Sequence, residues 1–248
     1  MEQENLSLDA ILGGRVRLYQ PTQGYRVAID PIFLSASILA TEHDTVLDLG
    51  SGVGAASFCL AQRTGCRVVG LEVQREMIRL AVQNAQLNEL SGRVEFLHGN
   101  LMTPPPRLAP STFSHVMANP PYFNRQANTA SSSINKSTSN MLDQGPKDLK
   151  AWVQFACLMV RPQGTVTFVF PAESIDLLLH LLHGKLGHIK IFPLWISDNR
   201  SANRVIIRGI KGLQGSSQLC HGLNLHDCSG KFTQEAEAIL RHGQALEF

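Results

Sequence analysis

From residue 45 onward the chain alternates between short apolar runs and segments of helical period. TVLDL (45–49) is a first predicted strand, and Ala55 to Gln62 has helical composition. CRVVGLE (66–72) is a second strand. Residues 74–88 place Met77, Ile78, Ala81, Val82 and Ala85 on one helical face. RVEFLHGN (93–100) and TFSHVMA (112–118) give strands three and four. Asp148 to Arg161 predicts a helix with Trp152, Phe155, Ala156 and Met159 on one stripe. GTVTFVF (164–170) is a fifth strand, and Ser174 to His183 is a leucine-rich helix. HIKIFPLWI (188–196) and NRVIIRGI (203–210) are the last two strands.

Such alternation predicts a mostly parallel sheet with helices on both faces. Several of the runs are continuously apolar, as strands buried on both sides require. The polar link between the last two strands is too short for a crossover helix, so that pair is expected to be antiparallel. The fold expected is therefore α/β, with seven strands, mostly parallel, and an antiparallel strand near the C-terminus. Three regions follow: a segment 1–44 before the sheet, a domain 45–212, and an extension 213–248 packed on it. Inside the domain, 123–147 is rich in Ser, Asn and Thr. That composition buries little surface, and a loop of such length reads as a mobile substrate flap.

Composition adds bounds. Hydrophobic residues are 44% and charged residues 17%, which suits a globular protein. No apolar run reaches membrane-spanning length, and MEQENLSLDA is too acidic for a secretory signal. Five cysteines without a CxxC pair read as free thiols in a cytoplasmic protein. Cys220, His221, His226 and Cys228 lie within nine residues, but their spacing matches no familiar zinc module, so no metal is expected. Net charge is only +2, yet six basic residues and one acid fall between Lys185 and Lys211. That local excess suits phosphates, although charge alone more often marks a solvated face.

Candidate chemistry gathers where the predicted strands end. LDLGSGVGAASF follows the first strand and opens the first helix. Gly50, Gly52 and Gly54 permit a tight turn and close approach of a ligand to the backbone. The pattern is G-x-G-x-G rather than the dinucleotide G-x-G-x-x-G. Glu72 ends the second strand, where a carboxylate can accept from both ribose hydroxyls of an adenosine. Asp48 reads either as an acid bracing the loop or as a contact to an amino group. Asn100 reads either as a contact to the adenine edge or as a turn residue.

ANPPYF (118–123) ends the fourth strand. Proline cannot continue a central strand, so Asn119 and Tyr122 are held at fixed points just beyond it. An acid and glycine loop after strand one, Glu72 after strand two and Asn119-Pro120-Pro121-Tyr122 after strand four together resemble the class I, Rossmann-like methyltransferases that depend on S-adenosylmethionine. The NPPY stretch resembles that of members acting on planar amino nitrogens: adenine N6, cytosine N4 or a glutamine amide. The resemblance implies that the Asn119 side-chain oxygen and the Pro120 carbonyl accept the amine hydrogens and free its lone pair. Tyr122 would stack on the base, and Asn119 would also adjoin the cofactor.

LGGRVRLYQPTQGYRVAIDPIFLSASI (12–38), NRVIIRGIKG (203–212) and GKFTQEAEAILRHG (230–243) resemble the bacterial family that methylates N6 of the adenine next to the anticodon of valine tRNA. The resemblance implies that segment 1–44 covers the cofactor, with Tyr25, Asp30 and Phe33 as contacts. Asp30-Pro31 also reads as a helix start, with Asp as N-cap and Pro at N1. Pro121 and Phe123 would meet substrate. Lys190, Arg200, Arg204, Arg208 and Lys211 would hold the tRNA backbone, with Arg15 and Arg17 as additions. No obligate protein partner is evident. One rival uses the same chemistry on a glutamine amide of a translation factor, and another is a non-catalytic cofactor-binding RNA partner.

Overall fold

The computed structural model describes residues 5–24, 26–121, 146–198 and 200–248. Most of the flap region, together with Tyr25, Tyr122 and Phe123, lies outside them. The chain opens with an antiparallel hairpin of β1 (Leu6–Ile11) and β2 (Val16–Pro21). A short helix, α1 (Asp30–Ala36), follows. Then come β3 (Thr45–Leu49), α2 (Ala55–Thr64), β4 (Arg67–Glu72), α3 (Arg75–Leu87), β5 (Val94–His98) and β6 (Phe113–Ala118). Beyond residues 122–145 come α4 (Pro146–Met159), β7 (Val160–Pro171), α5 (Ile175–Leu182), β8 (Leu186–Trp195) and β9 (Ala202–Lys211). The chain closes with β10 (Gln218–Leu219), β11 (Leu223–Asn224) and α6 (Gln234–His242).

Among the described residues nine strands form one sheet. Its order is β5-β4-β3-β6-β7-β9-β8, and β10 and β11 both pair with β8. The expected seven strands form the body, and β9 runs antiparallel to β7 and β8. The two additional strands are only two residues long, too short to leave an apolar pattern in the sequence.

The core lies on both faces of the sheet. Phe33, Leu34, Phe58, Leu60 and Ile239 belong to a cluster on one side, where the hairpin, α1, α2 and α6 gather. Leu149, Val153, Ala156 and Leu178, from α4 and α5, belong to the cluster on the other. The C-terminal region joins the first cluster through Leu225, Ala236, Ile239, Leu240 and Leu246, and the Thr233 hydroxyl caps α6 by accepting from the Ala236 N–H.

The buried face of α3 differs from the apolar stripe predicted for it. Leu80, Ala81, Asn84 and Ala85 are buried, whereas Val82 is 45% exposed. The buried face turns toward β2, whose backbone offers hydrogen bonds that an asparagine can use and a valine cannot.

Strand order reverses at β3: β4 lies on one side and β6 on the other. All three are parallel, with Leu49 level with both Leu71 and Ala118. A crevice therefore opens beyond Leu49, at the carboxyl ends of the strands, where sheets of this kind bind ligands.

Candidate functional site

The loop Gly50–Gly54 leaves β3 at that crevice. The Gly50 and Ser51 N–H groups both donate to the Leu71 carbonyl, at 2.8 and 3.2 Å, which ties the loop's start to β4. The Ser51 carbonyl then accepts from Gly54 N–H at 2.9 Å, closing a tight turn. Gly50, Gly52 and Gly54 all have positive φ, at 68°, 55° and 94°. Their surroundings differ. A Cβ on Gly50 would strike the Trp152 ring, and one on Gly54 would strike Phe58 and Phe96. At Gly52 nothing lies within 4 Å, so this residue turns a bare backbone to the open side. A loop packed tightly on aromatic rings and open at its middle is a fitting cradle for a small ligand.

Glu72 ends β4 beside this loop and is only 6% exposed. Its Oε2 accepts from Gly52 N–H at 3.0 Å, and its Oε1 accepts from Gln74 N–H at 2.8 Å. Each carboxylate oxygen carries two lone pairs, so both keep capacity for a further donor such as a ribose hydroxyl. The same contacts make Glu72 a clasp on the loop.

Asp48 is fully buried beneath the loop, and its Oδ2 accepts from the Ser57 hydroxyl at 2.6 Å. Burial pushes its carboxyl up to about 7; the Ser57 hydrogen bond opposes the rise and the nearby Glu72 charge adds to it. Of the two roles open to Asp48 in the sequence, its contact with Ser57 is the loop-bracing one.

Asn119 and Pro120 follow β6 directly, one step past the level of Leu49. Asn119 is half-buried, Pro120 is buried and Pro121 is exposed. Gly50, Glu72 and Asn119 thus stand at the ends of three adjacent parallel strands. Two apolar side chains are exposed past the ends of β4 and β5: Val73 at 37% and Met102 at 72%. Asn100 is exposed, and its Oδ1 accepts from Met102 N–H at 2.9 Å. That bond is the turn role the sequence allowed it.

Several expected contacts have other employment. Phe33 is 0% exposed inside the core and offers no surface to a ligand. Asp30 is the first residue of α1 rather than its cap, and its Oδ2 accepts from Arg204 Nε at 2.9 Å. Arg208 donates to the backbone oxygens of Ser37 and Phe248, and its guanidinium stacks 4.3 Å over the Phe248 ring. Lys211 donates to the Val160 carbonyl at 2.8 Å and to the Ser111 hydroxyl at 3.2 Å. Arg204, Arg208 and Lys211 therefore hold the fold together, where the sequence suggested a backbone-binding surface. Lys190 is half-buried and Arg200 exposed.

Sequence reasoning passed over Ser57, Phe96 and Asn84, which brace the loop from below and from the side. Asn84 carried one available signal: a polar residue at a helical spacing from apolar neighbours.

Comparison with known proteins resolves the class. A methyltransferase-domain family matches residues 40–165, slightly more than half of the chain and the stretch that contains the crevice. The chain belongs to this methyltransferase family. A solved structure titled as a predicted O-methyltransferase from Agrobacterium tumefaciens superposes with a TM-score of 0.73 at 21% identity. The match covers 88% of this chain and 98% of that one. The fold is thus the class I, Rossmann-like methyltransferase fold. Among curated relatives, a Shewanella halifaxensis tRNA1(Val) (adenine(37)-N6)-methyltransferase is 29% identical over 160 residues, 64% of this chain and 63% of its own length. A Shewanella baltica protein of the same name is 24% identical over 223 residues, 88% of this chain and 91% of its own. No helix among the described residues is long and apolar enough to cross a membrane.

Proposed function

We propose that this methyltransferase uses S-adenosylmethionine to methylate the exocyclic N6 of an adenine in RNA, at position 37 of a tRNA anticodon loop. The observation that carries the reading is the meeting of the Gly50–Gly54 loop, Glu72 and Asn119 at one sheet edge. The name shared by the curated relatives supports the substrate.

The cofactor would supply a methyl group on a sulfonium: as the amine nitrogen bonds to the methyl the S–CH3 bond would break, S-adenosylhomocysteine would leave as a neutral thioether, and the methylated amine would lose one proton to solvent. The bare backbone at Gly52 admits the cofactor closely, and Glu72 accepts its ribose hydroxyls. The exposed side chains of Val73 and Met102, past the ends of β4 and β5, would offer apolar surface to its base. An exocyclic amine is a poor nucleophile because its lone pair is delocalised into the ring. The Asn119 side-chain oxygen and the Pro120 carbonyl accept the two amine hydrogens and draw the nitrogen toward a tetrahedral form. Proline holds these acceptors in place before the reaction, so little reorganisation remains for the transition state. Tyr122, which lies outside the described residues, is assigned stacking on the target base by the motif resemblance alone, and that base must leave its own stack to enter. Positioning supplies most of the acceleration. Arg200 and Lys190 meet the RNA backbone from the far end of the sheet.

Methyl transfer from labelled cofactor to total bacterial tRNA, RNA-free protein extract and DNA, in parallel, tests the reading. Label recovered as N6-methyladenosine from tRNA is the expected outcome. Label confined to protein would replace it with glutamine methylation. No label in any pool, with the cofactor still bound, would favour a non-catalytic RNA partner.

A further inference from the structure

Asn84 is 0% exposed, and its whole side-chain amide is in use. Oδ1 accepts from Tyr19 N–H at 2.7 Å. Nδ2 donates to the Tyr19 carbonyl at 3.0 Å and to the Val53 carbonyl at 3.1 Å. Asn88 stands one turn further along the helix and grips the hairpin in the same way. Its Oδ1 accepts from Arg17 N–H at 2.8 Å, and its Nδ2 donates to the Arg17 carbonyl at 2.7 Å. The two periods match: four helical residues rise about 6 Å, and two strand residues about 6.6 Å. The asparagines therefore pair with β2 much as another strand would. One difference separates them. Asn84 also holds the glycine loop, through Val53, and Asn88 does not.

The loop is thus clasped on two sides of its open residue. Glu72 holds the Gly52 N–H, and Asn84 holds the carbonyl of the next residue. We propose that Asn84 is a positioning residue that couples docking of the N-terminal hairpin to the shape of the cofactor loop. The inference rests on the reading that this loop and Glu72 hold the adenosyl group. Coupling of this kind is reciprocal: a docked hairpin favours cofactor binding, and bound cofactor tightens the hairpin. The hairpin then acts on the cofactor through α3, from behind the loop.

Calorimetric binding of S-adenosylhomocysteine to the full chain and to its Asn84→Ala and Asn88→Ala variants tests this. Asn84→Ala is expected to weaken binding about tenfold, while Asn88→Ala, which loosens the hairpin but leaves the Asn84 link between hairpin and loop in place, is expected to weaken it by a clearly smaller factor. Equal losses in both variants, or none in Asn84→Ala, would overturn the inference and leave the cofactor reading intact. Absence of binding to the wild-type protein would overturn both. Should Asn84→Ala not fold, amide exchange in the wild-type protein serves. The ligand is expected to slow exchange at Tyr19 more than at Arg17; equal slowing at the two, or none, counts against the coupling.

Discussion

Arg204 on β9 reaches Asp30 at the start of α1, with Nε 2.9 Å from Oδ2 across 174 residues of sequence. Four residues along the same strand, Arg208 donates to the Ser37 carbonyl just past the end of that helix. Arg63 adds bonds to the Ser35 and Ile38 carbonyls, at 2.8 and 2.6 Å. Three guanidinium groups thus fix a seven-residue helix too short to be stable alone. Cations at its last carbonyls also suit the helix dipole. Arg204→Ala should leave a mostly buried carboxylate without this partner and cost about 2 kcal/mol. Arg200→Ala, at an exposed site, should stay within about 0.5 kcal/mol of wild type. Affinity for tRNA should show the reverse pattern: only Arg200→Ala should lower the salt dependence, by about one counterion. Urea unfolding and a salt titration of tRNA binding, run on both variants, check the assignment.

Glu72 and Asn119 occupy one edge of the sheet but should fail in different ways. Glu72→Ala removes the loop clasp and, with it, the proposed ribose acceptor. Cofactor affinity should fall about tenfold or more, as for loss of a hydrogen bond to a charged group. Asn119→Ala should leave affinity nearly unchanged and reduce kcat about 10²–10³-fold, the scale for one preorganised polar group acting on developing charge. Cofactor binding and single-turnover transfer on each variant separate the two roles. An Asn119→Ala enzyme with full kcat would remove the acceptor mechanism.

Two of the loop glycines, Gly52 and Gly54, should also rank differently. Alanine at Gly52 meets no neighbour, so its stability cost should be only that of a left-handed backbone, about 1–2 kcal/mol. Alanine at Gly54 adds a collision with Phe58 and Phe96, which overpacking makes dearer by about 1–3 kcal/mol. Cofactor affinity should respond at Gly52 as well, because a methyl group there projects into the open side of the loop. Thermal unfolding and ligand titration of both variants test the ranking.

What the sequence reveals follows from how local each cause is. Strands β3, β4 and β6 are legible because burial on both faces makes them mostly apolar, interrupted by Asp48 in β3 and by Ser114 and His115 in β6, and because glycine, an acid or proline closes each. The antiparallel β8–β9 pair is legible from the length of its link. The family resemblance of NPPY and of the N-terminal stretch suggests the chemistry, since those motifs are contiguous. Long-range pairings leave no such trace. Nothing near Arg204 shows that Asp30 will occupy it, so a structural pair reads as part of a basic patch. Nothing near Asn84 shows that β2 will present its backbone there, so the pattern of α3 points to Val82 as buried where the structure buries the asparagine. The hairpin is a different case: β1 alternates as Leu6-Ser7-Leu8-Asp9-Ala10, but its apolar Leu8 is 51% exposed, so the alternation marks no buried face.

Asp48 should give folding stability a pH dependence of unusual sign. Its folded pKa is raised to about 7, by burial first and then by Glu72, from the ordinary carboxylate value of 3.8. Between these values the unfolded chain loses this proton while the folded chain keeps it. The Asp48 contribution is therefore fully present below about pH 4 and is lost as pH rises through about 7. The amount is roughly a few kcal/mol. Asp44 behaves oppositely and in another window. Burial would raise its pKa, but hydrogen bonds from Thr41 and Ser114 and the nearby His115 outweigh that and hold it at about 2. Its contribution is present above about pH 4 and disappears as pH falls toward 2. Asp48→Asn keeps an acceptor for the Ser57 hydroxyl and removes the titration. Stability measured by urea unfolding from pH 4.5 to 7.5 should fall more steeply for wild type than for Asp48→Asn. Parallel curves over that range would show that the Asp48 proton is not held under the loop.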